Sequence, residues 1–191
     1  SNSSFYVLYS RLGIDMTGPS IGKIATSAKI ETDFRGTGTS FAILRIRHAY
    51  VNLAWKQSAL LLGQTWHPFF GDIYPQVLNL NTGAPFNAFS RAPQIRYRFD
   101  NGHWQLTGAA LWQLQYLSNG PNGKSEEYIK NSCIPEFYAG IDYKYENFQA
   151  GIGAEVLSLK PRTQNTVDGK VYKLDERITS MSFEAPVSYT H

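Results

Sequence analysis

The stretch "EFYAGIDYKYENFQAGIGAEV", residues 136–156, decides the fold. Phe137, Ala139, Ile141, Tyr143 and Tyr145 alternate with Glu136, Asp142 and Lys144. After the short break "EN", Phe148, Ala150, Ile152, Ala154 and Val156 alternate with Gln149 and Glu155. Successive side chains of a strand point to opposite faces, so this period of two predicts two antiparallel strands joined by a tight turn.

The alternation continues outward in both directions. Ile24, Ala28, Ile30 and Phe34 oppose Lys23, Lys29, Glu31 and Asp33; Ile95, Tyr97 and Phe99 oppose Gln94, Arg96 and Arg98. Trp104, Leu106, Ala110, Trp112 and Leu114 oppose His103, Gln105, Thr107, Gln113 and Gln115. About nine strands are expected, over 3–16, 22–34, 40–55, 59–66, 93–100, 103–116, 135–145, 148–159 and 172–187. Several exceed the five or six residues usual in globular sheets, by a factor of about two. A short helix-period segment, "IYPQVLNL", lies in a loop and is interrupted by Pro75.

The connections alternate too. Tight ones fall near "TGPS", "KQS", "DNG" and "EN"; longer ones cover 35–39, 67–92, 117–134 and 160–171. Short turns at one end and long loops at the other characterise an up-and-down transmembrane barrel. A Greek-key sandwich has no reason to alternate in this way. The expectation is therefore an all-β, antiparallel, up-and-down transmembrane β-barrel, forming one partial domain over 1–191. Its polar face, with small residues such as Gly140, Gly151 and Gly153, suits a wet lumen better than a packed core.

Composition agrees. Aromatics make up 14% of the 191 residues, with 12 Tyr and 11 Phe, an excess that suits strands and lipid–water interfaces. No apolar run is long enough for a spanning helix, but a spanning strand needs only about ten alternating residues. The net charge of +3 and the absence of basic runs give no footprint for a nucleic-acid partner. One cysteine, Cys133, excludes an internal disulfide framework.

The chain opens on "SNSSFYVLYSRLGID", already strand-like and without a signal peptide. An exported protein carries one, so the expectation is that it was removed or that the N-terminus is missing. The closing "VSYTH" reads like the in-frame translation of a transposon adapter, which leads to the expectation of a truncated gene. The other reading is that Val187 to His191 continue a strand.

Three blocks in order carry a family resemblance: "LRIRHAYVNL", "LLLGQTWHPF" and "RAPQIRYRF". They hold Arg45, Arg47, His48, Ala49 and Tyr50; Gly63, Gln64, Thr65 and Trp66; and Arg91, Pro93, Gln94, Ile95, Arg96 and Tyr97. Over residues 44–99 the chain resembles the DcaP-like outer-membrane porins. The resemblance implies a barrel of about sixteen strands, within the range of bacterial barrels. It also implies a homotrimer in the bacterial outer membrane and passage of small anions such as dicarboxylates.

Residues 67–92 are too long for a turn and too apolar for disorder. This segment is the candidate constriction loop, with Trp66, His67, Phe69, Phe70, Asp72 and Tyr74 as its narrowing residues. The bland reading is an external lid or a lobe against a neighbouring subunit. Arg45, Arg47, Arg91, Arg96 and Arg98 are the candidate pore-lining, anion-selecting residues, because guanidinium forks suit carboxylates. The competing reading pairs them with Asp72, Glu31, Asp33 or Asp142 to stiffen the wall. The alternation of strand 40–55 is muddled, which a bulge near His48 or a subunit interface would explain. Trp55, Trp104 and Trp112 are read as interfacial girdle residues; Trp66 fits either girdle or constriction.

No catalytic set is legible. None of the four histidines shows metal-ligand spacing, and no nucleophile elbow or phosphate loop occurs. Glu126 and Glu127 read as solvated. No cofactor and no enzymatic activity are expected. Two rivals to the porin remain: a soluble β-sandwich that binds carbohydrate, and a non-conducting outer-membrane barrel serving as enzyme or adhesin.

Overall fold

The computed structural model describes residues 10–36, 43–73 and 89–190. Eight strands follow one another as neighbours: β1 (Arg11–Thr17), β2 (Ala25–Asp33), β3 (Arg45–Trp55), β4 (Ser58–Trp66), β5 (Arg91–Asp100), β6 (Trp104–Leu111), β9 (Glu136–Tyr145) and β10 (Phe148–Leu159). A ninth pass, broken at Ala185–Pro186 into β13 (Ile178–Glu184) and β14 (Val187–Tyr189), pairs with β10. Every pairing is antiparallel. The described strands form an open, partial barrel wall.

Turn chemistry sets one end. Two-residue turns at Lys56–Gln57 and Glu146–Asn147 join their strands, each entered through a left-handed residue (φ 49° and 48°), as tight hairpins require. The opposite end carries the long connections. Two of these are built lobes. The first contains β7 (Asn119–Gly120), β8 (Gly123–Lys124) and α1 (Glu127–Ser132). Tyr128 is buried there, its hydroxyl donating to the Gly123 carbonyl and accepting from the Asn122 N–H. The second contains β11 (Gln164–Val167) and β12 (Lys170–Lys173), closed by Asp168–Gly169, both at positive φ.

Three expectations are corrected, and a fourth falls largely outside the described residues. The strand expected over 172–187 is divided, because the Asp168–Gly169 turn folds 170–173 back into a hairpin of its own. The strand expected over 103–116 stops at Leu111. Beyond it Gln113 and Gln115 bond loop backbone: Gln115 accepts from the Arg91 N–H, and Gln113 accepts from the N–H groups of Gln115 and Tyr116. The polar loop around Glu126 contains α1, with Glu126 paired to Lys130. Most of the helix-period segment at 73–80 lies outside the described residues.

The muddled alternation of β3 is a bulge. Glu31 pairs with His48 but Thr32 pairs with Ile46, leaving Arg47 as the extra residue. Arg45, Arg47, His48 and Tyr50 are thereby buried or half-buried while Ile46 and Val51 are exposed. The Gln64 amide donates to the Ile46 carbonyl at this bulge, at 2.9 Å. Opposite, Gly63 adopts φ 131°, and a Cβ there would meet the Ala49 carbonyl oxygen at 2.3 Å.

The convex face is apolar: Ile14, Ile95, Leu106, Ile152, Met181 and Phe183 are all exposed. A patch of this extent is a lipid surface or an aggregation liability. Near the tight turns the same face carries Trp55 against Tyr97 and Trp104 against Tyr143, with ring centroids 6.3 and 4.7 Å apart. That is the arrangement of an interfacial girdle.

Candidate functional site

The inner face holds a cavity of about 820 Å³, lined from Arg11 on β1 across to Glu184 on β13. Its rim is the segment after β4. Residues 68–70 form a single 3-10 turn, with Pro68 presetting its first position. The turn does not point away from the sheet. His67 Nε2 lies 2.5 Å from Glu136 Oε1 on β9 and 3.3 Å from Glu155 Oε2 on β10. Since β5 and β6 lie between β4 and β9, the segment crosses the inner face. Phe69 packs edge-on against Tyr138, 5.4 Å between centroids, over a small dry cluster of Ala92, Ala109, Leu111 and Tyr138.

Tyr138 lies flat on the wall because of two glycines. A Cβ on Gly140 would meet its hydroxyl at 2.2 Å, and one on Gly153 would meet it at 2.7 Å. The hydroxyl donates to Glu184 at 2.9 Å.

The five arginines occupy three settings. Arg45 forms a fork on Asp33 (3.0 and 2.6 Å), and Arg47 bonds Glu31 at 2.5 Å and Asp33 at 3.1 Å. Asp33 is only 1% exposed, so this network stiffens the wall at the long-loop end of β2 and β3. Arg91 is buried with its guanidinium carbon 4.5 Å from the Trp66 ring centroid, and its Nη1 has no hydrogen-bond partner among the described residues. Arg96 and Arg98 face the cavity. Arg96 donates to Gln94 and to the Trp66 carbonyl, both neutral. Arg98 stands 4.0 Å from Asp72 of the inward segment.

Trp66 stacks on Phe70 at 4.6 Å and lines the cavity beside His48, whose Nδ1 lies 3.0 Å from Thr65 Oγ1. The geometry therefore places Trp66 with the inward segment, away from the girdle near the turns. Tyr74 lies outside the described residues. Gln94 explains its place in the motif: its amide donates to the carbonyls of Thr65, Trp66 and Ala92, capping the irregular end of β4.

Sequence reading missed the acidic partners Glu136 and Glu155, which lie 69 and 88 residues from His67; no spacing rule spans such gaps. The three donor atoms are close enough to consider a metal. The hydrogen bonding argues otherwise. His67 Nδ1 accepts from the Phe69 N–H at 3.1 Å, so the ring proton sits on Nε2 and is donated to Glu136. A metal on Nε2 would require the proton at Nδ1, where an amide already donates. The trio is complete as a hydrogen-bonded unit.

A long-stranded antiparallel wall with a lipid-compatible convex face, an aromatic belt and a polar concave face defines an outer-membrane β-barrel. Within that class the chain resembles the DcaP channel. It is similar to the outer membrane channel DcaP of Acinetobacter baumannii at 25% identity and TM-score 0.70, over 95% of this chain and 47% of that one. OmpT of Vibrio cholerae in its trimer form matches at 15% identity and TM-score 0.57, over 95% and 53%. Its loop L8 deletion mutant matches at 14% and 0.55, over 95% and 56%; both share the fold. The chain spans about half the length of these proteins. No protein-family model and no curated protein matches it. The localisation is the bacterial outer membrane.

Proposed function

We propose that the chain forms the pore wall of a non-enzymatic diffusion channel for small hydrophilic solutes. Its preference is for anions of the dicarboxylate type, set by Arg96 and Arg98, and the protein works as a homotrimer. The segment Trp66 to Ile73 sets the size limit. One observation carries this reading: His67 and Phe69 are seated against β9 and β10 on the inner face, beside a water-accessible cavity. Arg96 adds the charge preference, since its hydrogen-bond partners among the described residues are neutral and its positive charge is left for a passing solute.

Liposome swelling with the full-length protein tests this. Small dicarboxylates are expected to enter faster than neutral or cationic solutes of equal size, with a sharp size limit. Equal rates for all three charges refute the anion preference. No swelling by any solute refutes the channel and leaves a barrel with a binding or adhesive role.

A further inference from the structure

His67 does two things that no other described residue of the inward segment does. Through Nδ1 it accepts from the Phe69 N–H and closes its own turn; through Nε2 it reaches two carboxylates on two other strands. His67 and Glu136 are 3% and 2% exposed. A charge-assisted hydrogen bond in such a dry place is strong and strongly directional. Imidazole suits the task because its two nitrogens point in different directions and differ in role within one neutral tautomer.

Near β5 the segment is held by the Trp66 carbonyl and by the His67 N–H on the Ser90 carbonyl; its remaining side-chain contacts are less directional. Phe69 sits edge-on against Tyr138, Phe70 stacks on Trp66 of the same strand end, and Asp72 meets Arg98 only at 4.0 Å while half-exposed. Rings of this kind slide at little cost, and an exposed ion pair holds weakly. Among the described residues, the trio is the directional bond joining the segment to the far wall.

We infer that His67 is a positioning residue: a latch that fixes the inward segment across the lumen by clamping it to Glu136 and Glu155. This rests on the reading that the segment narrows the channel, and it assigns the width of the opening to a side chain that need not touch the solute. Glu136 supplies the principal acceptor; Glu155 braces it from the next strand.

The test uses the full-length protein in lipid nanodiscs, with hydrogen exchange read at the amides of Phe70 and Gly71. Their hydrogen bonds run to the backbone of His67 and Pro68, so they report the segment and not the loss of the imidazole itself. Single-channel conductance is measured in parallel. For His67→Ala, exchange is expected to rise roughly tenfold or more, the scale of one lost charge-assisted bond, and conductance to rise and become noisier. Glu136→Gln keeps an oxygen acceptor but loses the charge and is expected to fall between wild type and His67→Ala, whereas Glu136→Leu should match His67→Ala.

Faster exchange with unchanged conductance would uphold the latch and refute the constriction. Unchanged exchange in His67→Ala would overturn the latch. Should His67→Ala fail to insert, the two Glu136 variants decide: equal exchange in Gln and Leu overturns the latch, and separation between them supports it.

Discussion

Neutralising Arg96 is the sharpest test of the charge preference. The residue faces the cavity, and its hydrogen bonds among the described residues go to Gln94 and the Trp66 carbonyl, so no carboxylate there is bonded to it. An ion passing about 6 Å from the guanidinium in water feels about 0.7 kcal/mol. The sign is opposite for anion and cation, so their relative free energy changes by about 1.4 kcal/mol, a factor of about ten before screening. At 0.1 M salt the Debye length of about 10 Å leaves roughly half of this, or about fourfold. At 1 M, with a Debye length of about 3 Å, less than about twofold remains. The assay is the reversal potential of Arg96→Gln in a planar bilayer under a salt gradient, at both salt levels. Arg96→Lys serves as control, keeping the charge while losing the fork. An unmoved reversal potential, or the same shift at both salts, would refute the assignment.

Asp33→Ala leaves the guanidinium groups of Arg45 and Arg47 without their shared acceptor, and a loss of about 3 kcal/mol is expected in urea unfolding of the detergent-solubilised protein. Gly63→Ala forces a Cβ to 2.3 Å from the Ala49 carbonyl oxygen and should cost at least about 2 kcal/mol in the same assay. Ile152→Arg, on the convex face at 64% exposure, should cost roughly 2–4 kcal/mol in a bilayer. A neutral result there would mean that the face meets water.

Much of the wall was legible because its physics is local. Alternation in Phe137–Tyr145 and Phe148–Val156 fixed both strands, and the interrupted alternation after Arg47 marked a bulge. The rest depended on distance. The division of 172–187 followed from an Asp-Gly turn that competes with a strand pattern on either side of it. Gln113 and Gln115 kept a period of two while accepting from backbone N–H groups. The arginines were visible, but not which ones were cancelled: Asp33 and Glu31 reach Arg45 and Arg47 only through β2–β3 pairing. His67 stood inside the segment singled out, yet its partners arrive from β9 and β10 by topology alone.

The central claim is that this wall encloses a water-filled, anion-preferring path through a membrane. It is tested most directly by single-channel recording of the full-length protein in a planar bilayer under a salt gradient. The account predicts stepwise conductance with a reversal potential on the anion side. Insertion without conductance would contradict the channel, and good solubility in plain buffer without insertion would contradict the barrel itself.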